Sequence, residues 1–312
     1  MTATHTISQN KFFIGASTAA ESVSDADYMA AVSQNSAENA IRRMTHIQAV
    51  AYIDGSSLCD APRIGSFSRF RDTALGPWLY NAGDILQRED LAAAIDSIHI
   101  VTQDMYGIAF AQTLQALEAL RRHFPDIPIT GFSAPKILEI CAMERFTPDQ
   151  ALRDLKSAGL TYISGSGLTF GKTTGVYETL ELADWLELHR AAKSAGLHSF
   201  AALPFESRVG AANVMEHIAQ NIITLAEIQA DERLFAGVAA RRVWRGAVGQ
   251  APSEAAVIPI VRLLREQFGW ETTITCNFQE LGAAGTYAAV YAGANMIMAA
   301  FETVESAKQL FV

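Results

Sequence analysis

Cysteine is scarce in this 312-residue chain. Its three cysteines, Cys59, Cys141 and Cys276, are odd in number and widely spaced, which fits neither a disulfide framework nor a zinc site. Reduced thiols are therefore expected. Positive charge is also in short supply, with 24 Lys and Arg against 33 Asp and Glu and a net charge of −9. Wrapping nucleic acid or an anionic membrane needs clustered positive charge, and the nearest approach, Arg241-Arg242-x-x-Arg245, is too short to supply it. No run of about eighteen apolar residues occurs, and the first fifteen residues carry no apolar stretch behind a basic head. A cytoplasmic protein with no membrane span is expected. The histidines never form a close HxH or HxxxH pair, which removes the usual helix- or strand-borne zinc and iron patterns. His46, His99 and His198 are expected to begin strands, at the end of the sheet opposite its active face.

What the chain does have is apolar content. Half the residues are hydrophobic, enough for a sizeable core. Past residue 44, short β-rich runs alternate with stretches of helical period, the pattern of a parallel sheet with crossover helices. Strands are expected at His46–Asp54, Ile98–Gln103, Ile129–Phe132, Thr161–Ile163, His198–Leu203, Leu234–Ala239, Thr272–Asn277 and Asn295–Ala300. Eight such strands point to an α/β fold of the (β/α) TIM-barrel type. Phe110, Leu114, Leu117 and Phe124 share one helical face, and Leu182, Trp185, Leu186 and His189 another. Thr147-Pro148-Asp149-Gln150 reads as a capping box opening a helix that ends at Gly159. Val257, Ile258, Val261 and Leu264 should form the inner face of a helix after Pro252-Ser253. Residues 1–44 read as a lead-in with one Ala-rich helix, and 45–312 as a single barrel domain. Residues 60–84, rich in Gly and Pro, read as a long loop after the first strand, the kind of loop that usually serves function.

Particular residues carry a family resemblance. Phe124-Pro125-Asp126-Ile127, followed by Phe132-Ser133-Ala134-Pro135-Lys136-Ile137, resembles an "FPDI…FSPPEI" segment. Leu152 to Leu160 resembles "LxxLKxAGL", and Asp184-Trp185 to His189 with Ala195-Gly196-Leu197 resembles "EWLxxHxxAHxxGL". These motifs belong to radical S-adenosylmethionine (SAM) enzymes of the menaquinone futalosine pathway (cyclic dehypoxanthine futalosine synthase, aminofutalosine synthase) and of deazaflavin cofactor synthesis (FO synthase). Their order and spacing agree over roughly residues 46–240. The resemblance implies a radical-SAM-type barrel, full or partial, in cofactor or natural-product biosynthesis.

That family holds an iron–sulfur cluster on a CxxxCxxC loop after the first strand, because thiolates are the ligands that soft iron–sulfur centres require. Aligning Phe67 and Arg69 with the residues after the family's last cysteine puts Leu58, Pro62 and Gly65 at the ligand positions. None of these can bind iron, and Cys59 lies one residue out of register. The family's SAM contacts are altered as well. Its Gly-Gly after the second strand is Gln103-Asp104, the carboxylate of its "PGGGAE" turn has become Thr169 after Ser164, and its "GHVE" acidic position is Arg208. The resemblance thus implies Gln103, Asp104, Ser133, Ser164 and Thr169 as vestigial SAM-site positions, with no cluster, no metal and no cofactor expected.

Ser166 to Thr173 is one residue short of a phosphate-binding Walker A loop. It has Ser where the first Gly is required and Thr174-Gly175 before any helical pattern. Barrels place their chemistry at strand C-termini, which here offer Asp54, Gln103, Asp104, Ser133, Ser164, Glu206, Arg208, Arg242, Cys276, Asn277 and Glu302. Asp54, Asp104, Glu206, Arg208 and Cys276 are the catalytic candidates, the charged ones for acid–base work or for holding a polar ligand. Two readings stay open. One is a non-catalytic pseudoenzyme that pairs with an active radical SAM paralogue or pathway enzyme in a heteromeric complex, or forms a homodimer. The other is a repurposed barrel enzyme or small-molecule binder that uses the polar strand ends without a cluster.

Overall fold

The computed structural model describes residues 45–58, 75–102, 109–168, 180–206, 212–243 and 257–311. The expected N-terminal lead-in, Cys59, Pro62 and Gly65, Gln103 and Asp104, the part of the Walker-like run from Thr169 onward, and Arg208 all lie outside these residues. In chain order the described strands are β1 (His46–Asp54), β2 (Leu79–Tyr80), β3 (Ser97–Val101), β4 (Ile129–Ser133), β5 (Tyr162–Ser164), β6 (His198–Glu206), β7 (Gly237–Val243), β8 (Thr273–Asn277) and β9 (Met296–Ala300). Between and after them run α1 (Ala82–Leu86), α2 (Phe110–His123), α3 (Ala134–Glu144), α4 (Pro148–Ser157), α5 (Leu182–Ser194), α6 (Ala212–Glu232), α7 (Val257–Phe268), α8 (Phe278–Ala292) and α9 (Val304–Lys308).

Every pairing is parallel. β1 and β3 to β9 follow one another around a ring, and β9 closes it by pairing Met296–Ala300 with His46–Val50 of β1. This is an eight-stranded β/α barrel of TIM type. β3 occupies the other edge of β1 from Val50 to Asp54. The two-residue β2, which pairs with Tyr52 and Ile53, therefore continues the line of β9 at the C-terminal end of the ring. β2 and the first residues of α1 lie inside the segment expected to be loop.

The helices form as their sequences dictate. Thr147 Oγ1 accepts the Gln150 amide, and Pro148 sits at the first helical position, where its missing N–H costs nothing. On α7 the buried positions are Val257, Ile260, Val261, Leu264 and Arg265, with Ile258 only half-buried. On α2 Leu114 is likewise half-buried, and Thr113 and Leu120 are buried instead. Strand β7 starts at Gly237 rather than Leu234. Leu234 and Phe235 are buried loop anchors, and the Gln229 side chain holds both the Phe235 amide and its carbonyl at 2.8 Å.

Two matching clasps secure the N-terminal end of the ring. Arg121, in the last turn of α2, donates from Nε and Nη2 to the Gly159 carbonyl at 3.3 and 2.8 Å, and from Nη1 to carbonyls of its own loop. Arg265, in the last turn of α7, donates from the same two atoms to the Gly293 carbonyl at 2.9 and 2.6 Å. Its Nη1 reaches Gly269 and Thr272. Both acceptor glycines have positive φ, 112° and 121°, the conformation glycine adopts without strain after a helix. In each clasp the amide of an isoleucine opening or near the start of a strand donates to the side-chain oxygen two residues past the glycine, Ile129 to Thr161 and Ile274 to Asn295. The strand pairs involved, β4–β5 and β8–β9, lie half a turn apart around the barrel.

Candidate functional site

A cavity of about 70 Å3 lies within the barrel toward the C-terminal ends of the strands. β1 contributes Tyr52, β3 contributes His99 to Val101, and Thr102 follows it. Ser133 comes from the end of β4, Ser164 from the end of β5 with Ser166 just beyond, Ala239 from β7, Thr275 to Asn277 from β8 and Met298 from β9. Leu75, from the segment before β2, completes one side, where it packs with Val50, Tyr52 and Ala300.

Local chain geometry places the polar groups. Phe132, fully buried, has φ of 56°, an unusual conformation for a bulky residue that costs on the order of 1–3 kcal/mol. At this point the β4–β5 register shifts, so that Ser133 stands opposite Ser164. Ser133 is also the N-cap of α3, a position where serine normally turns its hydroxyl back onto helix amides. It makes no such bond and lines the cavity instead. Ser164 Oγ and Ser166 Oγ are 2.9 Å apart. Gly165 between them lies so close to β6 that an added Cβ would stand 1.7 Å from the Phe200 carbonyl oxygen. The glycine is what lets β5 press against β6 and bring the two serines together.

Across the cavity, Asn277 Nδ2 donates to Tyr52 Oη at 2.7 Å, while Asn277 Oδ1 accepts the Glu280 amide at 3.1 Å as the N-cap of α8. That second bond fixes the amide's orientation. The His99 ring lies 5.8 Å from the Tyr52 ring. His99 is the third residue of β3 and faces the cavity, so the expectation that it begins a strand at the opposite end is corrected. The strand starts at Ser97, one turn of the alternation earlier. His46 and His198 do begin strands.

The sequence-derived candidates divide. Ser133, Ser164, Cys276 and Asn277 come together in the cavity. Asp54 does not line it, because its carboxylate accepts from the Ser56 amide and hydroxyl at 3.0 and 2.7 Å and so caps the turn after β1. Leu58 ends that turn as a buried aliphatic side chain. Glu206 and Arg242 lie at the ends of β6 and β7, with their side chains outside the described set, and Glu302 is exposed in the turn after β9. Tyr52, His99, Thr102, Ser166 and Thr275 were not among the candidates. Burial, and behind it the nearby Glu280 carboxylate, pushes the Cys276 thiol up to about 12, the environment of a protonated thiol rather than a nucleophile.

The iron–sulfur cluster held by the resembled family does not fit the described residues. Leu58 carries no donor atom, Cys276 and Cys141 are separately buried free thiols, and among the described residues no group of three or more His, Cys, Asp or Glu could hold a metal ion. Nor, among the described residues, is any helix long and apolar enough to cross a membrane.

No known protein-family profile matches the sequence. Among curated proteins, the aminodeoxyfutalosine synthase of Thermus thermophilus is 24% identical over 128 residues, which is 39% of this chain. The match spans about a third (34%) of that relative's length, and its name belongs with the futalosine-pathway enzymes whose motifs the sequence resembles. Among solved structures, the carboxyl transferase domain of Rhizobium etli pyruvate carboxylase aligns over 84% of this chain and 41% of its own, with 12% identity and a TM-score of 0.51. The tryptophan synthase α-subunit of Pyrococcus furiosus aligns over 85% of this chain and 96% of its own, with 11% identity and a TM-score of 0.46. The first of these structural likenesses bears on fold alone, and the fold it supports is the β/α barrel.

Proposed function

We propose that residues 45–312 form one barrel domain that binds a small molecule at the C-terminal ends of its strands and works, as a repurposed enzyme or a binder, without an iron–sulfur cluster. The observation that carries this reading is the cavity, where hydroxyl, amide and imidazole groups from five strands (β1, β3, β4, β5 and β8) converge on an otherwise apolar wall. A few placed polar groups on an apolar wall are the usual make-up of a ligand site. The strained Phe132 supports it, because buried strain of this kind gathers at binding and catalytic sites. Asp104, Glu206 and Arg208 are the charged candidates for contact with such a ligand. The non-catalytic partner reading has no comparable observation among the described residues.

The test is a thermal-shift screen of small polar metabolites against the wild type and two cavity-filling variants, Ser164→Leu and Ala239→Leu. A ligand at a hundred times its Kd stabilises the folded state by about 2.7 kcal/mol. A compound that raises the Tm of the wild type and of neither variant supports the reading. Stabilisation that persists undiminished in both variants, or a screen in which no compound stabilises the wild type, overturns it.

A further inference from the structure

The floor of the cavity specifies the kind of chemical group it takes. None of the described lining residues is Asp, Glu, Lys or Arg. An ammonium buried there would leave water without a counter-charge, a carboxylate or phosphate would have only the His99 imidazole to offset it, and a poorly compensated buried ion is strongly disfavoured. An entirely apolar occupant is disfavoured for the converse reason. It would strip water from Ser133, whose hydroxyl is not spent on the helix it precedes, and from the Ser164–Ser166 pair, and buried polar groups need partners. Hydroxyls donate and accept equally well, so these serines complement a group that does both. The cavity of about 70 Å3 has room for about five water-sized groups.

We infer that the floor binds the uncharged, hydrogen-bonding end of a ligand, a primary amide, hydroxyl or carbonyl group of about five heavy atoms, and discriminates against acids and amines. This rests on the reading of the cavity as a ligand site. The serines are specificity-determining under this inference, and any charge on the ligand stays outside the floor.

The experiment uses three probes of nearly the same size, propionamide, propionate and propylammonium, observed by saturation-transfer NMR with the full chain. Wild type is compared with Ala239→Leu, which fills the cavity from the β7 wall, and with Ser133→Ala, which keeps the space and removes one hydroxyl. Propionamide is expected to give a signal that Ala239→Leu abolishes and Ser133→Ala weakens several-fold, with propionate and propylammonium at least tenfold weaker binders. Should propionate or propylammonium bind as well as propionamide, with Ala239→Leu abolishing the signal, the cavity remains a ligand site and the inference of a neutral floor fails. If no probe gives a signal that Ala239→Leu removes, the ligand-site reading fails and the inference falls with it. Circular dichroism of each variant checks that the barrel is folded.

Discussion

Replacing Gly165 with alanine is expected to be among the most damaging single-methyl additions in the barrel, for reasons of space rather than backbone conformation. The new Cβ would stand 1.7 Å from the Phe200 carbonyl oxygen and 2.6 Å from the Ala202 amide nitrogen, where ordinary contact begins at 3.4 Å. Both obstacles are backbone atoms of β6, which is held on its far side by a seven-residue register with β7, so β6 cannot move away cheaply. β5 must retreat instead, which breaks the bond from the Ala202 amide to the Gly165 carbonyl, now 3.2 Å. Overpacking of a tight site costs about 1–3 kcal/mol or more, and the lost hydrogen bond adds about 1 kcal/mol. A loss of about 3 kcal/mol is therefore expected, enough to lower the Tm by roughly 5 °C in a domain of this size. The control is Gly83→Ala. Gly83 lies within α1 and has nothing within 4 Å of the added methyl, so alanine should be neutral or stabilising by about 0.5–1 kcal/mol. Thermal unfolding followed by circular dichroism compares the two. A Gly165→Ala protein that melts within a degree of wild type would refute the close β5–β6 approach and the placing of the serine pair that depends on it.

Arg265→Ala, which leaves the buried Gly293 carbonyl without its donors, should cost about 3 kcal/mol in urea unfolding. Arg190→Ala, which removes an exposed ion pair with Glu232, should cost less than about 1 kcal/mol, and equal losses would contradict the clasp. His189 is fully buried against Trp185, with ring centroids 3.9 Å apart, neither of its ring nitrogens has a partner, and burial pushes its pKa down to about 3. Because the unfolded chain takes up this proton near pH 6.5 and the folded chain does not, stability should fall between pH 6.5 and 3, at up to about 1.4 kcal/mol per pH unit. His189→Phe should flatten that slope in Tm measured against pH, and an unchanged slope would refute the assignment. Iodoacetamide at pH 8, followed by peptide mapping, should modify Cys276 about a thousandfold more slowly in the native protein than in urea, and rapid native labelling would restore it as a nucleophile.

The barrel was legible in the sequence because its eight strands are bounded by turn residues and separated by helices with clear apolar faces. β2 was not, since two residues show no period. Leu234-Phe235 read as the start of a strand because apolar pairs look alike in strands and in buried loop anchors. The site was half legible. Ser133 and Ser164 follow from motif position, but the inward turn of Tyr52 does not. Val50, Ala51, Tyr52 and Ile53 are all essentially buried, so β1 lacks the alternation that would tell its two faces apart. His99 was hidden in the same way by the buried Ile98 and Ile100 around it. Asp54 looked like a rim carboxylate because sequence does not show that Ser56, two residues on, takes up its oxygens.

The most direct test of the account is the position of a bound molecule. A crystal structure of the protein soaked in propionamide should show the amide within hydrogen-bond distance of Ser133, Ser164 or Asn277 on the floor of the barrel. Propionamide found only outside the barrel, with the floor closed over by side chains, would contradict it.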